Sequence, residues 1–438
     1  MNERSGASAD RQMDRIWKVW ESSIVVLFLV MFSEGLVQRL ISPSETPDGS
    51  LLLRVLWLPA YAWALIMSAV NWRNMIRIGA RNPFLLLLTG LTLVSVVWSI
   101  DPGVTLRRSV ALVCTTLFGV YLAARFSWPE VLRLFGWAWL IVAGANLVVS
   151  GAFPGIGVDH DLHIGAWKGL FVEKNAMGGA FSRASFLFIV LLAADKRYRA
   201  PWVAGLAISF LLILMSTSKT ALLGMLIGVA ALVASIFIKR GAGHAIGLIW
   251  ASVIVVLALA LGLVFAPGVL FGLIGRDASL TGRTDIWEAL ATSISQRPWL
   301  GYGYGAFWGP DSIPARWVRI AVQWEAPTAH NGWLEVLLAV GGIGLACLVL
   351  NLANISIRAA LSLTTGWGGV FAAGFLLQFL LFSMSESIAI QQNSITWLTY
   401  AVVAGRLAMD SHFRHNSRLG AAPLLSGRSP EARRAIKA

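Results

Sequence analysis

The sequence predicts an all-α polytopic integral membrane protein with about 12 transmembrane helices and one long extracytoplasmic loop. Three observations predict it. The 438 residues are 57% hydrophobic and only 13% charged, with a mean hydropathy of +0.71, far outside the range of soluble domains. Apolar runs long enough to cross a bilayer recur along most of the chain. Basic residues gather between those runs in an alternating pattern. This composition excludes a soluble multidomain enzyme. It also excludes disorder over most of the length, which requires low hydrophobicity with high net charge.

A helix crosses the hydrocarbon core with about 20 mainly apolar residues. Runs of that kind, bounded by charge, proline or glycine, lie at 22–40, 51–70, 83–100, 109–126, 131–150, 177–194, 201–216, 220–238, 245–266, 332–352, 366–384 and 388–409. Polar and charged residues precede the first run, and no small-residue cleavage pattern follows it. Residues 1–21 are therefore expected to be a retained cytoplasmic segment rather than a signal peptide. Residues 22–409 form the transmembrane domain, including the extracytoplasmic loop 267–331. Residues 410–438, basic and rich in Ser and Ala, form a cytoplasmic tail. With the amino terminus inside, 22 of the 35 Lys and Arg fall on the cytoplasmic side, as the positive-inside rule requires, and both termini are then cytoplasmic.

The net charge of +13 and pI near 10.4 do not form one patch, so the bias reports topology rather than nucleic-acid binding. Cys114 and Cys347 lie inside apolar runs without metal-ligand spacing and read as small core side chains. No internal repeat or inverted pair of interrupted helices marks a transporter.

Polar chemistry concentrates on the predicted outer side. The loop at 267–331 carries Trp287, Trp299, Trp308, Trp317, Trp324, Tyr302 and Tyr304, aromatics suited to the membrane interface or to stacking on sugar rings. Within it TDIWEALATSISQRP reads as a short helix: Thr284 and Asp285 suit its start, Ile286, Leu290 and Ile294 recur at fourfold spacing, and Pro298 follows. Arg283 stands at its entrance. GYGYGAFW, from Gly301, reads as a flexible turn or as backbone able to approach a phosphate.

His330 precedes the tenth run, and Asn331 suits an N-cap. The positive end of a helix dipole beside His330 leaves its imidazole available as a base. Lys219, in STSKT, sits in a tight outer hairpin where positive charge is disfavoured. It either snorkels or, opposite Arg283, serves the diphosphate of a lipid carrier. Lys174 and Asn175 end the first outer loop, and Arg107 and Arg108 form another outer pair. Asp159, His160, Asp161 and His163 read as a solvated loop or acceptor contact more than as a metal site. Glu34 and Glu386 are too few for a proton pathway through the membrane.

STSKTALLG, GRTDIWEALATSISQRPWLGYGYGAF and HNGWLEVLLAVGGIGL, in this order across one long loop, resemble the O-antigen ligase and polymerase superfamily. WSIDPGVTLRRS and GLFVEKNAMGG are similar to its exopolysaccharide repeat-unit polymerase branch. The resemblance spans roughly residues 85–405. It implies an all-helical membrane glycosyltransferase at the outer face of the cytoplasmic membrane, without metal or cofactor, that joins polyprenyl-diphosphate-linked oligosaccharides into exopolysaccharide.

The resemblance further implies His330, Arg283 and Lys219 as catalytic residues. Lys174, Asn175, Arg107, Arg108, Asn331, Trp287 and Tyr302 are the substrate-binding candidates. Should His330 not be the base, Glu335, Asp159 and Asp161 are the next to consider. Many ligases carry Arg where Lys219 stands, so this departure leans toward the polymerase branch. Partners implied are the lipid-linked oligosaccharide, the bilayer, and chain-length regulator and export proteins, with no nucleic acid. An O-antigen ligase acting on lipid A core is the alternative reading. A polysaccharide or lipid transporter is the alternative of another class.

Overall fold

A computed structural model of the chain describes residues 2–35, 51–161, 163–241, 243–244, 247 and 283–420. The ninth expected run, 245–266, apart from residue 247, and the first part of the long loop, 267–282, lie outside the described residues, as does the tail beyond 420. The described secondary structure is helical apart from an isolated bridge between Val158 and Trp167.

In chain order the helices are α1 (Asn2–Phe32), α2 (Leu51–Val70), α3 (Trp72–Arg81), α4 (Pro83–Val94), α5 (Pro102–Arg125), α6 (Trp128–Ala152), α7 (Lys174–Ala194), α8 (Arg199–Met215), α9 (Lys219–Lys239), α10 (Arg283–Gln296), α11 (Ile313–Val322), α12 (Gly332–Ser362), α13 (Trp367–Ser383) and α14 (Ile395–Gly420). The chain is a multi-pass membrane protein. By length and apolarity α5, α6, α7, α9 and α12 can each cross a bilayer, and α2 with α3 makes a sixth if that pair, bent by 92°, counts as one span.

These five or six spans are those of the described residues alone, and several of the other expected runs are shorter there as α-helices. The third run stops as an α-helix at Val94 and continues as a 3-10 turn, Ser95–Trp98. α8 and α13 have 17 residues each. The twelfth run becomes helical only at Ile395. The outer boundaries move as well: α1 begins at Asn2 instead of 22, and α14 reaches Gly420.

Helix starts follow the sequence's capping residues. Asp101 accepts from the Val104 N–H at 2.9 Å, with Pro102 opening α5. Ser127 and Glu130 form a reciprocal capping box on α6. Pairing of orphan N–H groups at a helix end typically contributes about 1 kcal/mol per cap. Between helices lipid offers no hydrophobic drive, so close packing over small residues holds the bundle. A Cβ on Gly119 of α5 would stand 2.7 Å from the Leu398 carbonyl oxygen of α14.

The polar contacts separate into two ends. At one, Lys18 pairs with Glu130, Arg133 with Asp195 at 3.2 Å, and Arg125 with the fully buried Glu21 at 2.9 Å. At that end Arg81 also donates to the Ala408 carbonyl. These are the groups the sequence assigns to the inside. The groups it assigns to the outside meet at the opposite end. If that assignment is right, reporter fusions after Arg240 and after Ala438 will read as cytoplasmic, and fusions within 283–331 as external. A cytoplasmic reading for that loop would contradict the topology and remove the proposed location of the chemistry.

Candidate active site

The long loop is fixed to the bundle through a break in α12. Gly341, at φ +67°, interrupts the helix, and the preceding loop segment fills the gap. Gly342 N–H donates to the Pro298 carbonyl at 2.7 Å, while Tyr302 N–H and Gly303 N–H donate to Leu338 and Ala339 at 2.7 and 3.1 Å. A Cβ on Gly341 would come within 2.2 Å of Trp299 backbone, so glycine is required there. Gly301, Gly303 and Gly305 all have positive φ. The expected flexible or phosphate-approaching turn is therefore a strap whose N–H groups at Tyr302 and Gly303 are already engaged.

The expected surface helix is α10. Ile286 and Leu290 are buried beneath it, as their spacing predicts, and Trp287 Nε1 donates to the Ala329 carbonyl at 2.9 Å. Ala329 N–H is held from the other side by Glu335 of α12, which also accepts from Trp308 Nε1 at 3.0 Å and from the Ser387 hydroxyl at 3.2 Å. His330 is thus clamped between two anchored neighbours, at φ +46°. The Asn331 side chain caps α12 through the N–H groups of Trp333 and Leu334 at 2.9 and 3.2 Å, as expected.

This clamp delivers His330 to a carboxylate. Its Nδ1 lies 3.7 Å from Glu386 Oε2, and Arg283 donates to Glu386 Oε1 at 3.2 Å. Glu386 follows the end of α13, its N–H bonded to the Phe382 carbonyl at 2.8 Å. The side chains of Arg283, His330 and Glu386 are 14%, 17% and 17% exposed. They are shielded enough to strengthen charge interactions yet remain reachable. Trp324 lies nearly parallel to the His330 ring, with centroids 6.5 Å apart.

Glu173, just before α7, completes the group: a ligand atom from each of Glu173, His330 and Glu386 lies within 4.8 Å of the other two. That spacing could hold a divalent cation. The guanidinium of Arg283, already on Glu386, competes for the same charge. Burial first, and the Glu386 charge second, push the Glu173 carboxyl above the usual carboxylate range against the pull of His330 and Arg283.

Because the raised group holds its proton more tightly in the folded state, stability is lost as pH climbs from the ordinary Glu value through the raised one. Glu173→Gln should remove the part of that loss due to this carboxyl. Thermal unfolding of the purified protein against pH should show wild type declining more steeply over this window than the variant. Superimposable profiles would show that Glu173 is not buried against Glu386 in this way.

Lys174 Nζ reaches Thr217 Oγ1 at 3.2 Å, bringing the start of α7 to the α8–α9 turn. The exposed Lys219 opens α9 there, and Asn175 is half-buried beside Lys174. The structure thus brings Lys174 and Lys219 to one rim, and Arg283 and His330 to one cluster.

Other candidates lie apart in role. Tyr302 is 3% exposed, with its hydroxyl on the Ser293 carbonyl at 2.7 Å, and so packs the loop core instead of presenting a sugar-binding face. Trp287 anchors the His330 segment, and Arg108 holds the strap through the Gly305 carbonyl at 2.6 Å. Arg107 is exposed. Asp159 accepts from the Asp161 N–H at 3.0 Å within its own loop. Among the described residues, Asp159, His160, Asp161 and His163 do not converge as a ligand set.

Sequence reasoning missed Glu173 and Glu386 as members of the cluster. Each had a signal: Glu173 abuts Lys174, and Glu386 immediately follows an apolar run, where a carboxylate is costly without a cationic partner.

Residues 204–349 match the family described as O-Antigen ligase. The chain is also 24% identical over 313 residues to the exopolysaccharide production protein ExoQ of Rhizobium meliloti (strain 1021), covering 68% of each chain. Both matches are a likeness to the O-antigen ligase and polymerase superfamily. The segment shared with the O-antigen ligase family contains Lys219, Arg283 and His330. Glu173, Lys174 and Glu386 lie outside it, at the start of α7 and just after α13.

Proposed function

We propose that this protein is a member of the O-antigen ligase and polymerase superfamily and a membrane glycosyltransferase that polymerises polyprenyl-diphosphate-linked oligosaccharide repeat units into exopolysaccharide at the outer face of the cytoplasmic membrane. The observation that carries this reading is the clustering of His330, Glu386 and Arg283 beside a rim bearing Lys174 and Lys219. An acceptor sugar hydroxyl attacks the anomeric carbon of the donor and passes its proton to His330 Nε2. Glu386, facing Nδ1, orients the ring and balances the imidazolium that forms. The bond from the anomeric carbon to the diphosphate oxygen breaks with its electron pair on the phosphate. Arg283 and Lys219 stabilise that charge without a metal.

The exopolysaccharide relative supports the polymerase reading. The description of the matched family, O-Antigen ligase, favours the second reading, in which the acceptor is lipid A core. Mass analysis of lipid-linked and secreted saccharides from a deletion strain separates them. A polymerase defect leaves single lipid-linked repeats and no secreted polymer. Accumulation of full-length lipid-linked polymer identifies a ligase. An unchanged saccharide profile contradicts both.

A further inference from the structure

Arg183 lies in the apolar helix α7, nine residues after Lys174 and so about 13 Å along the helix. A cation at such depth is costly and ordinarily turns inward toward a polar partner. Its guanidinium does turn inward, over the Phe382 ring at 5.1 Å, directly beneath the turn that holds Glu386 through the Phe382 carbonyl. Arginine side chains on a helix lean toward its amino-terminal end, here toward the cluster. The carboxylates facing it electrostatically are Glu386 above and Glu34. Glu34 follows α1 and sits 3.5 Å from Gln391 Nε2.

Among the described residues Arg183 makes no hydrogen bond and no ion pair, and the side chain is only half-buried. A guanidinium has five donors. Here Glu34 and Glu386 offset part of its charge, and none of those donors is taken by another described residue.

We infer that Arg183 binds the lipid-proximal phosphate of the carrier diphosphate, one tier beneath the sugar-proximal phosphate held by Arg283 and Lys219. The inference rests on the donor class given under Proposed function. A prenyl chain lies in the bilayer, so the phosphate attached to it enters deeper than the phosphate attached to the sugar. A cation below the rim is placed to read that order and to distinguish a diphosphate from a monophosphate carrier, which has one phosphate to share between two tiers. Arg183 is then a specificity determinant for diphosphate donors.

The test uses the full-length protein in nanodiscs, titrated with farnesyl diphosphate and with farnesyl monophosphate. Wild type should bind the diphosphate at least about tenfold more tightly. Arg183→Gln should lose about tenfold for the diphosphate and little for the monophosphate, so the ratio falls toward one. Arg183→Lys, which keeps the charge without the planar fork, should lie between them. A monodisperse Arg183→Gln or Arg183→Lys protein with the wild-type ratio, or one that loses both ligands equally, overturns the assignment. Failure of wild type to bind either prenyl phosphate instead overturns the donor reading on which it rests.

Discussion

His330→Ala should insert, bind lipid-linked donor and lose about 100- to 10,000-fold in the rate of chain extension, the range over which general-base assistance acts. Single repeat units should accumulate as polymer disappears. The large effect follows from the effort the structure makes to place this ring. Its two neighbours, Ala329 and Asn331, are fixed by Trp287, Glu335 and their own helix cap, and its Nδ1 side faces Glu386. Substitution removes the proton acceptor while leaving those anchors intact, so donor affinity should hold and turnover should fall. A folded His330→Ala protein that extends chains at near wild-type rate would reduce His330 to an interfacial residue at a helix end. The search for a base would then move to Glu335, Asp159 and Asp161.

The cations give the second large effect. Arg283→Ala and Lys219→Ala should each impair transfer, the former by about 100- to 1,000-fold, the magnitude expected when a donor to developing charge is removed. Arg283 carries the larger effect because it also holds Glu386 at 3.2 Å, so its loss leaves that carboxylate without its guanidinium partner. Lys219→Arg should retain substantial activity because the charge survives. Steady-state rates against donor concentration divide each effect between binding and turnover. Full activity in a correctly inserted Arg283→Ala, Lys219→Ala double variant would take leaving-group stabilisation away from both.

Much of this was legible in the sequence because membranes write strong signals. Apolar runs near 51–70, 131–150 and 177–194 became helices with nearly those bounds, and the fourfold spacing of Ile286 and Leu290 marked α10. The cap at Asn331 followed from residue type. Less legible were features fixed by tertiary contact. Nothing local says that Gly301 to Gly305 would strap into a break at Gly341, since that fit depends on backbone groups 36 to 44 residues apart. Tyr302 carries the same aromatic signal whether it faces a sugar or the loop core, and burial decided for the core. Glu386 and Glu173 come from opposite flanks of the chain. Their meeting with His330 required the packing of α7 and α13, which periodicity does not encode.

The central claim is that this cluster carries out glycosyl transfer from a lipid diphosphate without a metal. Purified protein in nanodiscs, supplied with a synthetic polyprenyl-diphosphate oligosaccharide and excess chelator, tests it most directly. The account predicts a ladder of lipid-linked products at single-repeat spacing, unaffected by chelator and absent with His330→Ala. A wild-type ladder that chelator abolishes and added divalent cation restores would contradict it, and would recast Glu173, His330 and Glu386 as metal ligands.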